Sequence, residues 1–334
     1  MKILITGASG FVGRNLLLRV ASDPSYSEII IPIRNRDKLK KQGLMDGLDF
    51  KSSRFRIVET AAPQWENLQD VKVDHLIHCA GLLFAREKRE FLETNVNGTL
   101  NLFRNTSFER AIVLSSQAAS GPCEPGQVAK TERDGNVPVT WYGRSKLEME
   151  KRLQKEFGNR NYVCLRPPII LGARDSATLP LFKMVKGRIL FKPGLKLKYY
   201  SYIAVNDLVD AILKTLKAPL SYSELSLKEY FVACDEVITD EALITTAALA
   251  ADKRGVLLRV PQTLLKGIAK AVDAVPSWRE AIPSLSGDRA QEIWPDRWVV
   301  SSQKFAEQFA WKSSPDLLQT LKETHNWYKE TGQI

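Results

Sequence analysis

Lys2-Ile3-Leu4-Ile5-Thr6-Gly7-Ala8-Ser9-Gly10-Phe11-Val12-Gly13 opens the chain, and its reading decides the fold. Residues 3–6 are a short apolar run that reads as a strand, and 11–21 read as a helix. The glycines between them have GxxGxxG spacing. Gly7 permits a tight turn. Gly10 lets a pyrophosphate approach the backbone at the helix N-terminus, where free N–H groups and the helix dipole favour anions. Gly13 allows close helix–strand packing, and Ser9, Phe11 and Val12 complete the loop's contact set. Strand, glycine loop and helix in this order are the context that a dinucleotide cradle requires.

The same alternation continues. Residues 28–33, 55–58, 75–79, 111–115 and 161–165 read as strands, with helices over 91–107 and 142–157. This pattern predicts an α/β fold with a Rossmann-like, doubly wound parallel sheet covered on both faces. Ligands of such sheets bind at the carboxyl ends of the strands. After Leu165 the pattern loosens. Arg166-Pro167-Pro168 stops the strand. Residues 168–200 are rich in Pro, Gly and Lys, with one helical stretch near 179–185. A helix returns at 205–216, followed by a strand at 230–233 and helices from near 239 and over 262–275. The expected division is a dinucleotide-binding domain over 1–167, to which 201–219 return, and a smaller substrate lobe from 168–200 and 220–334. Leu264-Leu265-Lys266-Gly267-Ile268-Ala269-Lys270-Ala271-Val272 is amphipathic and basic. It reads as a core-facing helix or a lid over an apolar substrate, with contact to a membrane surface as the other use.

At 334 residues, 44% apolar and 26% charged, the chain has the composition of a soluble globular protein with a sizeable core. Its 48 Lys and Arg outnumber 38 Asp and Glu, for a net charge of +10. The basic residues are spread without a block of like charge. A solvated basic surface and a phosphate-bearing cofactor are therefore expected, and nucleic acid is not. Cys79, Cys123, Cys164 and Cys234 form no CxxC, and His75, His78 and His325 are scattered, which argues against a metal site. Free cysteines fit a reducing compartment. The N-terminal apolar run is too short for a signal peptide, and no run approaches the ~18 residues of a membrane span. A cytoplasmic enzyme without an integral membrane segment is expected.

The second strand ends in Ile33-Arg34-Asn35-Arg36-Asp37. Arg34 stands where an acid would read the ribose of NAD, and guanidinium groups suit a 2′-phosphate. NADP(H) is favoured, with NAD(H) read by Asp37 as the alternative. Ala80 and Gly81 of His78-Cys79-Ala80-Gly81 let a cofactor lie against backbone. Leu114-Ser115-Ser116 puts a hydroxyl at a strand end. Tyr142 and Lys146 follow Ser116 by 26 and 30 residues. Four apart, they share one helix face, where an ammonium lowers the phenol's pKa from about 10 toward a usable acid/base.

In order along the chain, TGASGFVG, HCAG, NVNGT, SSQAASG, YGRSK, LRPPIILG, YIAVNDLVDAI and DLLQTLKETHNWYKETG resemble the extended short-chain dehydrogenase/reductase family, of the NAD-dependent epimerase/dehydratase type. The resemblance runs from Lys2 to about Leu216 and more weakly to the C-terminus. It implies that Tyr142 is the acid/base, that Lys146 lowers its pKa and holds the nicotinamide ribose, and that Ser116, five before Gly121, orients the substrate oxygen. Asn95 and Pro167 complete the implied cofactor contacts. Ser120 before Gly121, and Arg166-Pro167-Pro168-Ile169-Ile170-Leu171-Gly172, replace the segments usual in nucleotide-sugar members, so the chain looks closest to the 3β-hydroxysteroid-dehydrogenase-like branch. The expected activity is hydride transfer between NAD(P) and a secondary alcohol or ketone. A nucleotide-sugar epimerase or dehydratase is the alternative, with Lys183, Lys186, Arg188, Lys192, Lys196 and Lys198 as candidate diphosphate ligands. A non-catalytic dinucleotide sensor is the second alternative. Family members often form homodimers through the helices that here contain residues 95–107 and 142–157.

Overall fold

The strand runs are apolar throughout because both sides of each strand are buried. Ile3 and Ile5 enter one core and Leu4 the other. Likewise Ile29 and Ile31 face opposite to Ile30, as the two-residue period of a strand dictates. A computed structural model describes residues 1–35, 47–225, 227–274, 287–314 and 316–334. Its strands are β1 (Lys2–Thr6), β2 (Glu28–Ile33), β3 (Phe55–Glu59), β4 (Val71–His78), β5 (Thr106–Leu114), β6 (Tyr162–Arg166), β7 (Ile169–Leu171), β8 (Ile189–Pro193), β9 (Tyr199–Ala204), β10 (Glu229–Phe231), β11 (Val237–Thr239), β12 (Val256–Val260) and β13 (Arg297–Trp298).

Seven strands form a parallel sheet in the order β10-β6-β5-β4-β1-β2-β3. The winding reverses between β1 and β4, where a crevice opens at the strands' carboxyl ends. Thr6 pairs with His78, so the two strands end level at that point. Helices Phe11–Ala21 and Val205–Lys217 pack together on one face. Gly98–Asn105 and Trp141–Phe157 cover the other. A smaller sheet, β11-β9-β13 with β7 beside β9, and the pair β12-β8 lie outside the seven-stranded sheet. Among the described residues no helix is long and apolar enough to cross a membrane.

Three features depart from expectation. The helix expected over 91–107 is Lys88–Phe91, a π-helical stretch Leu92–Asn97, and Gly98–Asn105. Thr106 and Ser107 instead begin β5, paired with Val71 and Lys72. β10, expected in the smaller lobe, extends the main sheet beside β6, so residues 220–334 do not all belong to that lobe. β7, β8, β9 and β12 were not foreseen. They have three to six residues each, too few for a period to stand out.

Candidate active site

At the end of β1 the chain turns through Gly7, whose φ is +69°. A Cβ there would stand 2.6 Å from the Ala80 nitrogen, so only glycine lets the β1 and β4 loops meet. A Cβ on Gly13 would collide with the Gly7 carbonyl oxygen. The helix that follows has Gly10 at its N-cap, with no side-chain cap and no acid in its first turn. Its N–H groups and positive dipole end are left for an external anion, and Ser9 and Gly10 are exposed beside them. Phe11, Val12 and Gly13 form its first turn. These features fit a dinucleotide's pyrophosphate.

Hydrogen bonds pin the neighbouring strand ends. Thr6 Oγ1 lies 2.7 Å from His78 Nδ1, and His78 Nε2 lies 2.9 Å from Thr99 Oγ1. Burial lowers the His78 pKa to about 3, so this ring is neutral. Asn95, in the π-helical stretch, accepts from Leu82 N at 2.7 Å and donates to Leu82 O at 3.0 Å and Ser145 Oγ at 2.9 Å. It clamps the loop carrying Ala80 and Gly81 onto the Tyr142 helix. Pro167 accepts from Gln117 N at 2.9 Å, tying the ends of β5 and β6. Arg34 is exposed immediately after β2. Arg36 and Asp37 lie outside the described residues.

Ser115 and Ser116 part company at the end of β5. Ser115 Oγ donates to Glu150 Oε1 at 2.6 Å. Ser116 hydrogen-bonds the Tyr142 phenol and accepts from Ala118 N at 3.1 Å. Thr140 caps the helix that presents Tyr142 and Lys146, accepting from Gly143 N at 3.1 Å.

Burial is the largest influence on both Tyr142 and Lys146. Burial, the largest influence, pushes the Tyr142 phenol above its usual range, against the opposing Ser116 hydrogen bond and the Arg289 charge. Lys146 Nζ donates to Leu114 O, at the end of β5, at 2.8 Å. Its own burial brings the ammonium down to about 8, with Glu150 the leading opposing influence.

Sequence reasoning missed the segment that closes the site. Asp288 accepts from Trp141 N at 3.0 Å, adding a second cap to the Tyr142 helix. The Arg289 guanidinium lies 5.4 Å from the Tyr142 ring centre and 5.2 Å from that of Phe84, and donates to Glu292 Oε1 at 2.8 Å. Glu292 also accepts from Thr140 Oγ1 at 2.9 Å, and burial holds its carboxyl above the usual range. No sequence motif marks these residues, which the fold brings to Tyr142 from 146 to 150 positions away. A cavity of about 230 Å³ lies against Ser116, Tyr142 and Gln117, lined otherwise by Ala118, Pro168, Ile169, Tyr200, Trp298 and the carboxyl-bearing Glu292. Gln117 is 5% exposed, and its Nε2 has no partner.

None of the six basic residues foreseen as diphosphate ligands lines this cavity. Two of them are structural. Lys192 is fully buried, donating to Gly194 O at 3.1 Å and Lys196 O at 2.6 Å and facing Asp240 at 3.1 Å. Lys198 donates to the Ile293 carbonyl.

The NAD dependent epimerase/dehydratase family model matches residues 3–224. A UDP-glucose 4-epimerase of Vibrio cholerae is 29% identical over 274 residues, 78% of each chain. A ceramide reductase of Caulobacter vibrioides is 25% identical over 342 residues, spanning 99% of this chain and 96% of that one. The UDP-glucuronic acid 4-epimerase of Bacillus cereus, in complex with UDP-glucuronic acid and NAD, superposes with a TM-score of 0.76 at 17% identity, covering 99% of this chain and 100% of that one.

Proposed function

We propose, from the premise that this chain is an enzyme belonging to the NAD-dependent epimerase/dehydratase family, that it interconverts a secondary alcohol and a ketone on an apolar substrate, with NADP(H) as the preferred dinucleotide. The observation that carries this reading is the cavity wall: mostly apolar and aromatic side chains around Ser116, Gln117 and Tyr142, with Glu292 as its ionisable carboxyl and without a lysine or arginine. A diphosphate would need paired cations there, and Arg289, the cation stacked on Tyr142, is already engaged by Glu292. Similarity over nearly the whole chain to a reductase named for ceramide points the same way. Similarity to a UDP-glucose 4-epimerase keeps the nucleotide-sugar reading as the alternative.

The glycine loop would hold the pyrophosphate, Arg34 the adenosine ribose side, and Gly81 and Lys146 the nicotinamide side. The bound nicotinamide supplies or accepts the hydride. Tyr142 gives a proton to the substrate oxygen or takes one from it, and Ser116 hydrogen-bonds that oxygen as charge develops. Gln117 Nε2, buried without a partner, suits a second acceptor on the substrate.

The test is NADPH consumption with a panel of hydrophobic ketones, followed by nicotinamide absorbance. Interconversion of nucleotide sugars without ketone turnover would overturn the reading. Gln117→Leu is expected to raise KM for the preferred ketone about tenfold, the cost of one lost hydrogen bond, with NADPH binding unchanged. An unaltered KM removes Gln117 from substrate recognition.

Lys146 sets a pH limit. The ammonium is the charged form, so it is lost as pH rises through about 8. kcat/KM for NADPH reports groups of the free enzyme. It is expected to be level below that pH and to decline above it. A profile flat between about pH 7 and about pH 10 excludes a role for the Lys146 charge.

A further inference from the structure

β8 and β12 pair in parallel, with Ile189 opposite Val256 and Phe191 opposite Leu258. Their inner face carries Leu190, which is buried, and packs on helix Asp240–Ala250. The outer face is exposed among the described residues. Ile189, Phe191, Val256 and Leu258 are 52%, 47%, 75% and 50% exposed. β12 leads into helix Gln262–Ala274, which adds exposed Leu264 and Ile268, four apart on one helix face. Clustered apolar exposure of this kind marks an interaction surface.

The charge around this face identifies the partner. Residues 183–198 hold six basic and no acidic side chains, and 252–268 hold four basic and one acidic. Lys186, Arg188, Lys253, Arg254 and Lys266 are exposed beside the apolar residues. Arg259 is neutralised by Glu241 at 2.8 Å, and Lys192 is buried. An apolar face rimmed by long basic side chains matches an anionic bilayer surface: the aliphatic groups enter the acyl boundary and the cations meet lipid phosphates.

We infer that the β8–β12 face and helix Gln262–Ala274 dock the protein on the surface of an anionic lipid bilayer. The helix packs on Gly287–Ala290, the segment whose Arg289 covers Tyr142. Docking therefore holds the Tyr142 cavity one packing layer from the membrane. The inference stands on surface shape and charge and does not depend on the reaction proposed above.

The full chain is tested by co-sedimentation with phosphatidylcholine vesicles, with and without phosphatidylglycerol. Partitioning to the anionic vesicles is expected to exceed that to neutral ones at least about tenfold and to weaken as salt is raised. Phe191→Asp with Leu258→Asp should abolish it, leaving circular dichroism and NADPH binding intact. Arg188→Glu with Arg254→Glu should remove the preference for anionic lipid while the apolar face is untouched. Equal partitioning to both vesicles, or an unaffected double aspartate variant, overturns the inference. So does a concentration-dependent dimer that the aspartates dissociate, which would assign the face to a second copy of the chain.

Discussion

Tyr142→Phe is expected to lower kcat by about 10²- to 10⁴-fold, the usual contribution of a positioned acid or base. The change removes one oxygen and leaves the ring's packing on Phe91, at 6.5 Å, and on Arg289. Stability and NADPH binding should therefore stay within about twofold of the parent. Burial raises the phenol's pKa, so its protonated form dominates near neutrality and favours proton donation to a ketone. In the oxidation direction the phenolate is needed. Arg289→Met removes a positive charge that stabilises the phenolate, so the acid limb of the oxidation profile should move to higher pH. These two variants separate chemistry from architecture: the first lowers turnover at every pH, the second displaces the profile. Turnover by Tyr142→Phe within a few-fold of the parent would overturn the assignment, whatever the substrate.

The nucleotide half of the site was legible because its physics is local. Gly7, Gly10 and Gly13 are close in sequence, and each answers a backbone requirement of one turn and one helix end. The pairing of Ser116 with Tyr142 was legible by resemblance, since the fifth strand and the next helix bring a strand-end hydroxyl and a helix-start phenol together. The electrostatics were not. Helical spacing puts Tyr142 and Lys146 on one face, but it says nothing of the Leu114 carbonyl that accepts from the ammonium or of the burial of both groups. Arg289 and Glu292 arrive through a lobe whose short strands have little periodicity. Lys192 and Lys198 looked like surface cations because burial of a lysine depends on acceptors such as Gly194, Lys196 and Ile293 that only the folded lobe supplies.

Glu150→Ala is expected to cost about 3–5 kcal/mol of stability, read as a lower urea midpoint. Glu150 and Arg166 are 2% and 4% exposed and form a two-pronged pair, with Nε to Oε1 at 2.9 Å and Nη2 to Oε2 at 2.6 Å. Removing the carboxylate leaves the guanidinium in the interior without its two-pronged partner, with Asn136 at 3.1 Å, the Phe231 ring and the charge of Glu229 still near it. The penalty is mostly that of the orphaned charge. The double change Glu150→Leu with Arg166→Met should therefore be less destabilising than Glu150→Ala alone, an inequality that no simple packing defect produces. The pair also reaches the chemistry. Glu150 opposes the loss of the Lys146 proton, so Glu150→Gln should bring the decline in kcat/KM for NADPH to a pH below about 8. If the single and double variants lose equal stability and the pH limit stays where it was, the pair is ordinary core filling. If the double variant recovers stability while the pH limit still falls, the buried pair is kept for the charge state of Lys146 and not for the strength of the fold.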